Sequence, residues 1–319
     1  MAQHFLLSAK SRTLSLKAIY QGGEDKAYET FCQLRWYMTN GEPVCPRCGC
    51  LEPYSITTRR KFKCRGCQHQ FSVTSGTIFA SRKLSFTDLM AAICIFVNGA
   101  KGISSVQLSR DLDVQYKTAW VLAHKIREAI ADEVDDATLH GEVEVDGAYF
   151  GGHVRPRNWR ENRVDRRLKE HQPGTRRVVV AIRQRRGRTL TFVRNTEAQG
   201  VADVRRVVDL GSTVFSDEAS HWMQLAAHYP TKMVNHEVAY SMHGVHTNYA
   251  ESYFSRLRRM VAGQHHFVSP KYLHQYASHA AWLEDHRRES NGTLARRVIR
   301  NAMAAPVSRV FKGYWQRAA

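Results

Sequence analysis

The spacing of apolar residues along the chain changes character several times. Residues 85–130 contain no proline, and Leu89, Ile93 and Val97 recur every four positions, the spacing of one helical face. Asn98-Gly99 interrupts the pattern. It resumes over residues 102–112 and again, after Asp113-Val114, over 116–130, which predicts two short helices joined by a tight turn. On either side the period falls to two. Phe62-Lys63 and residues 70–73 alternate as short strands do, and residues 142–147 place Glu142, Glu144 and Asp146 on one face and Val143 and Val145 on the other. Further strands are predicted at 178–182, 189–193, 213–217 and 231–234, with helices at 201–208, at 219–228 and from His246 onward. Residues 152–177 show no apolar period and hold nine Arg/Lys against three acids, which predicts a long basic loop able to track phosphates.

Composition narrows the class. A chain of 319 residues with 43% hydrophobic and 24% charged side chains is globular rather than disordered. No apolar run approaches the roughly 20 residues that span a bilayer, and the first residues do not read as a signal peptide. The expectation is a cytoplasmic protein without membrane partners.

Charge changes the picture more. Forty-seven Lys+Arg against 29 Asp+Glu give +18, which favours a polyanionic partner. The excess is concentrated. Residues 1–150 hold 18 cations and 16 acids, whereas residues 151–319 hold 29 and 13, and 25 of those 29 cations are Arg. Arginine suits bidentate phosphate contacts and stacking. Nucleic acid is therefore the leading partner, and in the 116–130 helix Lys117 and Lys125 are candidate contacts if the paired helices form a helix-turn-helix.

Seven cysteines without a secretion signal do not suggest disulfides. Cys45-x2-Cys48 and Cys64-x2-Cys67, fifteen residues apart, have the spacing of a zinc ribbon, in which two knuckles aim four thiolates at one Zn²⁺. Cys50 is an alternative to Cys48. Cys32 and Cys94 lie in apolar helical surroundings and read as core.

Acids supply the remaining chemistry. Carboxylates on one face of a strand normally mark a solvated edge, but amid so many Arg residues they call for a metal. Asp217 ends a later strand, where it also suits a helix N-cap. Asn248 and Glu251 share a helical face, where they also fit a capping box. Taken together these groups make an oxygen-ligand set for Mg²⁺ or Mn²⁺, able to activate a nucleophile and stabilise the leaving oxygen of a phosphodiester.

In this order the motifs CPRCG, EVDGAYFGG, VFSDEASHW and HTNYAESYFSRLRR resemble the insertion-sequence transposases of the zinc-ribbon, DDE, ribonuclease H-like type, the ISXO-like group. The resemblance implies a multidomain α+β chain. Its parts would be an N-terminal helix plus zinc ribbon (1–80), a helical helix-turn-helix-like DNA-binding segment (81–136), a ribonuclease H-like α/β catalytic domain with a mixed five-stranded sheet (137–290) and a basic C-terminal tail (291–319). It implies Asp146 and Asp217 as the first two catalytic acids and Glu251, with 33 residues between it and Asp217, as the third, with Asn248 assisting or replacing it. Arg256 and Arg258 are then candidate DNA contacts, while Arg259 reads as a solvated face and His246 as a phosphate-orienting or buried structural group. Trp222, Tyr276 and Trp282 read as core. The implied activity is Mg²⁺-dependent strand cleavage at terminal inverted repeats and strand transfer into target double-stranded DNA, by a homodimer or larger assembly associated with the nucleoid. The rival reading is an inactive descendant that binds DNA without chemistry, yet all three acids are present.

Overall fold

The computed structural model of the chain describes residues 5–131, 138–152, 155–165, 168–171, 174–234, 245–308 and 310–313. It divides into two compact units, one formed by residues 1–133 with 286–319 and the other by Val134–Asp285.

The first unit begins with helix α1 (Leu16–Arg35), followed by a three-stranded antiparallel ribbon of β1 (Tyr54–Ile56), β2 (Lys61–Lys63) and β3 (Gln70–Phe71). Trp36 packs edge-on against Phe62 of β2, which in turn packs on Phe71 of β3. Helices α2 (Phe86–Asn98), α3 (Ser105–Asp111) and α4 (Tyr116–Ala131) follow, α3 and α4 being separated by the short turn that the sequence predicts. Serines start these helices: the Ser15, Ser85 and Ser104 hydroxyls accept from the N–H three residues on, satisfying donors the helix cannot. Phe31, Phe79 and Phe86 cluster beneath α1 and α2. Cys94 is fully buried, as expected, whereas Cys32 is only half-buried.

The segment expected to form a basic tail belongs to this unit instead. Residues Asn291–Ala304 are a helix capped by Ser290, whose Leu294, Ala295, Val298, Ile299 and Ala302 are buried. It packs against α1, α2 and α4. Its polar face carries the Arg residues that suggested a tail, but the opposite face has the spacing of a core helix. The acidic stretch 132–136 lies outside the described residues.

The second unit is a five-stranded mixed sheet with spatial order β6-β5-β4-β7-β8. Strands β4 (Glu142–Phe150), β5 (Arg177–Gln184) and β6 (Thr189–Arg194) form an antiparallel meander. Helix α5 (Gly200–Val207) then carries the chain to β7 (Thr213–Asp217), which lies parallel to β4, and to β8 (Thr231–Val234), which lies parallel to β7. The predicted helix after β7 is a 3₁₀ helix over Trp222–Ala227. Helices α6 (Asn248–Met260) and α7 (Leu273–Asp285) complete the unit, so the helix Asn291–Ala304 is α8. Val143, Val145, Val178, Val180, Ile182 and Val214 face α5 and make one core with Trp222 and Leu225. The other parity faces α6 and α7, where Tyr276 and Trp282 are buried as expected. Between β4 and β5 the described residues form only 3₁₀ turns, while 153–154, 166–167 and 172–173 lie outside the described residues. Among the described residues no helix is long and apolar enough to cross a membrane.

Candidate active site and metal centre

The two knuckles bring Cys45, Cys48, Cys64 and Cys67 together, all Sγ atoms lying within 4.8 Å of one another. Cys45 and Cys67 Sγ are 3.7 Å apart, and Cys48 and Cys64 Sγ 3.5 Å. Zinc–sulfur bonds of about 2.3 Å in a tetrahedron place neighbouring sulfurs about 3.8 Å apart, so the group fits the ion. The Cys67 N–H points at Cys64 Sγ at 3.4 Å, and this donor is the first cause that holds the Cys64 thiol down to about 6, favouring the ligating thiolate. Cys50 turns away and points its Sγ at the Leu51 carbonyl at 3.3 Å, so it does not replace Cys48.

In the second unit, β4 and β7 are paired in parallel with Glu144 opposite Phe215. Continuing that register for two residues sets Asp146 opposite Asp217, on the same face of the sheet. This is the place where the chain, having built outward on one side of β4, crosses to the other, the usual location of sites in open α/β sheets. Asp146 is half-buried and accepts from the Gly147 N–H at 2.7 Å. Burial first, and then the charges of Asp217, Glu197 and Glu251, push its carboxyl up to about 7. Three further acids are therefore close enough to Asp146 to act on it. Among the described residues the four cysteines are the one group of three or more such ligands drawn together closely enough to hold an ion, and the acids do not converge to that degree.

Glu251 enters this field from the first turn of α6. The helix N-terminus favours a carboxylate there. The capping box expected from Asn248 and Glu251 does not form: Thr247 is the N-cap residue without a side-chain cap bond, and Asn248 is the exposed first residue of the helix. Another carboxylate caps α6. Glu144 Oε2, fully buried, accepts from the N–H groups of Tyr249 at 2.8 Å and Ala250 at 3.1 Å. Its Oε1 accepts from Arg185 Nε at 2.8 Å and lies 3.1 Å from His246 Nδ1. Glu142 is exposed and 3.4 Å from Arg185. Of the three carboxylates read on one face of this strand, only Asp146 belongs to the acid cluster.

Glu197 is the residue that sequence reasoning missed. It lies in the 3₁₀ turn before α5 and reaches the cluster from the α5 side, over Gly147. A Cβ at Gly147 would overlap the Glu197 carboxylate, so glycine here makes room for an acid. Burial and Asp217 raise the Glu197 carboxyl. His221 Nε2 stands 3.8 Å from Glu197 Oε1 and, among the described residues, makes no hydrogen bond. The available signal was Thr196-x-x-Gln199, a capping-box spacing that marks a helix start immediately after β6.

Residues 138–285 match the ISXO2-like transposase domain, and residues 22–70 match a transposase zinc-ribbon domain. Residues 138–285 are thus an ISXO2-like transposase domain, and residues 22–70 a transposase zinc ribbon. A curated relative from Halobacterium salinarum, an uncharacterized protein in transposable element ISH50, is 24% identical over 155 residues, 48% of this chain and 50% of that protein. The chain thus spans about half the length of this curated relative. No solved structure matches it.

The cations expected to meet DNA fall into two groups. Lys117 on α4 and Arg258 on α6 are exposed, Arg258 with its guanidinium 5.7 Å from the Phe254 ring. Lys125 is half-buried beside Glu128, and burial lowers its ammonium. Arg256 is paired with buried Glu284 at 2.9 Å, and Arg183 meets the same carboxylate at 3.4 Å. Part of the arginine surplus is therefore internal.

Proposed function

We propose that this transposase cleaves DNA strands at the terminal inverted repeats of its element and transfers them into target double-stranded DNA, with Asp146, Asp217 and Glu251 holding Mg²⁺ or Mn²⁺. The observation that carries the reading is a contrast in charge pairing. Every fully buried acid of the second unit that meets an Arg is neutralised by it: Glu144 by Arg185, Asp203 by Arg194 and Glu284 by Arg183 and Arg256. Asp146, Asp217 and Glu197 have no Lys or Arg partner among the described residues, although burial and the neighbouring acids raise the proton affinity of Asp146 and of Glu197. Acids held together at this cost in an arginine-rich unit imply a cation from outside.

The donor set is all oxygen, the kind that Mg²⁺ takes while keeping several waters, which suits acids separated by more than one ligand length. When bound, such ions activate the attacking oxygen and stabilise the leaving one. The side chains then divide the work. Asp146 and Asp217, fixed by the β4–β7 register, define the floor of the site. Glu251 closes it from α6, and Asn248, exposed at the same helix start, is placed to touch substrate. Water attacks the phosphorus at the element end and the P–O3′ bond breaks, leaving a 3′ hydroxyl and a 5′ phosphate; that hydroxyl then attacks a target phosphodiester, whose own 3′ oxygen leaves as a hydroxyl while the new bond joins the strands. Lys117 and Arg258 contact phosphates, whereas Lys125 and Arg256 serve the fold. Joining two element ends requires two active sites, hence a homodimer or larger assembly on the nucleoid.

A labelled duplex carrying the element end, incubated with Mg²⁺, tests this. Wild type should cut it, while Asp146→Asn and Asp217→Asn should bind it without cutting. Glu251→Gln should lose cleavage and Asn248→Ala should only slow it. Tight binding by wild type with no cleavage in Mg²⁺ or Mn²⁺ would leave a DNA-binding protein without chemistry.

A further inference from the structure

Beyond the acid site, we propose that a cleft between the zinc ribbon and the start of α2 is a second nucleic-acid contact, built to hold a backbone phosphate. The cleft has a volume of about 450 Å³ and is lined by Arg59 and Arg60 from the β1–β2 turn, by Lys61 at the start of β2, by Arg82 from the segment before α2, and by hydroxyls that include Thr58 and Ser81. Guanidinium, ammonium and hydroxyl donors are the groups that meet phosphate oxygens in protein–DNA complexes.

The local charge ledger leaves a surplus of cations. The two acids that meet Arg60 are both engaged. Asp25 pairs with Arg60 at 2.5 Å. Glu24 accepts from the N–H groups of Phe86 and Thr87 and from the Thr87 hydroxyl, capping α2, and lies 3.8 Å from Arg60. Arg59 and Lys61 are exposed and form no ion pair among the described residues. Arg82 is held rather than free: its guanidinium lies 3.5 Å from the centre of the Phe86 ring and donates to the Leu84 carbonyl. A guanidinium fixed in this way keeps its remaining N–H groups aimed, which suits bidentate contact with phosphate.

Backbone geometry agrees. Arg60 has φ 47° and Ser81 φ 59°, left-handed values that only the surrounding structure sustains for a residue with a side chain. Both line the same cleft. Such conformations gather at ligand sites, where they aim particular groups.

The test measures binding alone, with full-length zinc-loaded protein and a fluorescent duplex followed by anisotropy, without Mg²⁺, between about 50 and 200 mM salt. Arg59→Gln with Lys61→Gln should weaken binding at least tenfold and reduce the slope of log affinity against log salt by about two, one per phosphate-contacting cation. Arg82→Lys, which keeps the charge but loses the fork, should weaken binding without changing the slope. Lys10→Gln with Lys17→Gln, the same charge change elsewhere on the unit, should have the smaller effect. Zinc content and melting temperature should stay at wild-type values. An unchanged slope in the cleft variant, or an equal loss in the control, overturns the proposal. So does a cleft that is stabilised by inorganic phosphate while duplex binding ignores its substitution. The inference rests on the transposase reading only for the source of the phosphate, and the two fail separately. Intact cleavage with an unchanged slope removes the cleft alone, whereas a salt-dependent cleft in a protein that never cuts removes the enzyme alone.

Discussion

Glu144 on β4 accepts the Tyr249 N–H of α6 at 2.8 Å across 105 residues of sequence. This bond ties the helix that carries Glu251 to the strand that carries Asp146, two residues further along. The same carboxylate holds Arg185, so its removal would take a buried charge partner from that guanidinium and leave two helix-end donors without their acceptor. We expect Glu144→Ala to cost about 3–5 kcal/mol, the range for breaking a buried charge pair, and to abolish cleavage. Glu142→Ala, exposed on the same strand, should stay within about 0.5 kcal/mol of wild type. Urea melts of both variants check this, and equal losses would contradict the capping role.

The ribbon should depend on its metal. It has three short strands and little core of its own, so ligation supplies much of its folding free energy. Cys45→Ser or Cys64→Ser should release zinc, measured by elemental analysis, and melt the ribbon. Cys50→Ser should retain one zinc per chain, because Cys50 points its sulfur at the Leu51 carbonyl.

The acid cluster makes a signed prediction about pH. Asp146 binds its proton more tightly in the folded protein, at about 7, than in an unfolded chain, at about 3.9. The folded state therefore holds more protons between these values, and this group's contribution falls as pH rises from about 4 to about 7. Without divalent metal, Asp146→Asn should be more stable than wild type at pH 8 by about 2–4 kcal/mol, the free energy of a shift of this size. The gap should close towards pH 4. Added Mn²⁺ should reverse the order at pH 8, since only the ionised carboxylate gains from the ion.

Glu197 should matter to metal binding although it lies outside the proposed set of Asp146, Asp217 and Glu251. Calorimetric titration of Glu197→Gln with Mn²⁺ is expected to give affinity about 10–100-fold weaker, the scale of losses from groups surrounding a metal site. Gly147→Ala, which pushes that carboxylate aside, should weaken Mn²⁺ in the same direction. Unchanged affinity in both variants would make Glu197 a structural acid.

Much of this architecture was legible in the sequence because it is written in local period. The strands 213–217 and 231–234 and the two cysteine knuckles follow from spacing alone, whereas spacing puts Asp146 and Asp217 on their strands and only the resemblance singles them out as catalytic acids. What escaped depends on contacts between distant segments. Alternation shows that Glu144 shares a face with Asp146, but not that a helix end more than a hundred residues away would claim it. Counting cations likewise cannot separate Arg256, folded onto Glu284, from Arg258, which stays exposed. The α8 helix looked like a tail because its Arg residues dominate a composition count, while Val298 and Ile299 reveal a core face only once α1, α2 and α4 are there to receive it.

The central claim is that Asp146 holds the ion that drives strand cleavage, and a change of metal preference tests it most directly. Thiolate is a poor ligand for Mg²⁺ and a better one for the softer Mn²⁺. Cleavage of the element-end duplex by Asp146→Cys should therefore be lost in Mg²⁺ and partly restored in Mn²⁺, with Asp146→Ala inactive in both. Equal activity of Asp146→Cys in the two metals, or cleavage by Asp146→Ala, would contradict the account.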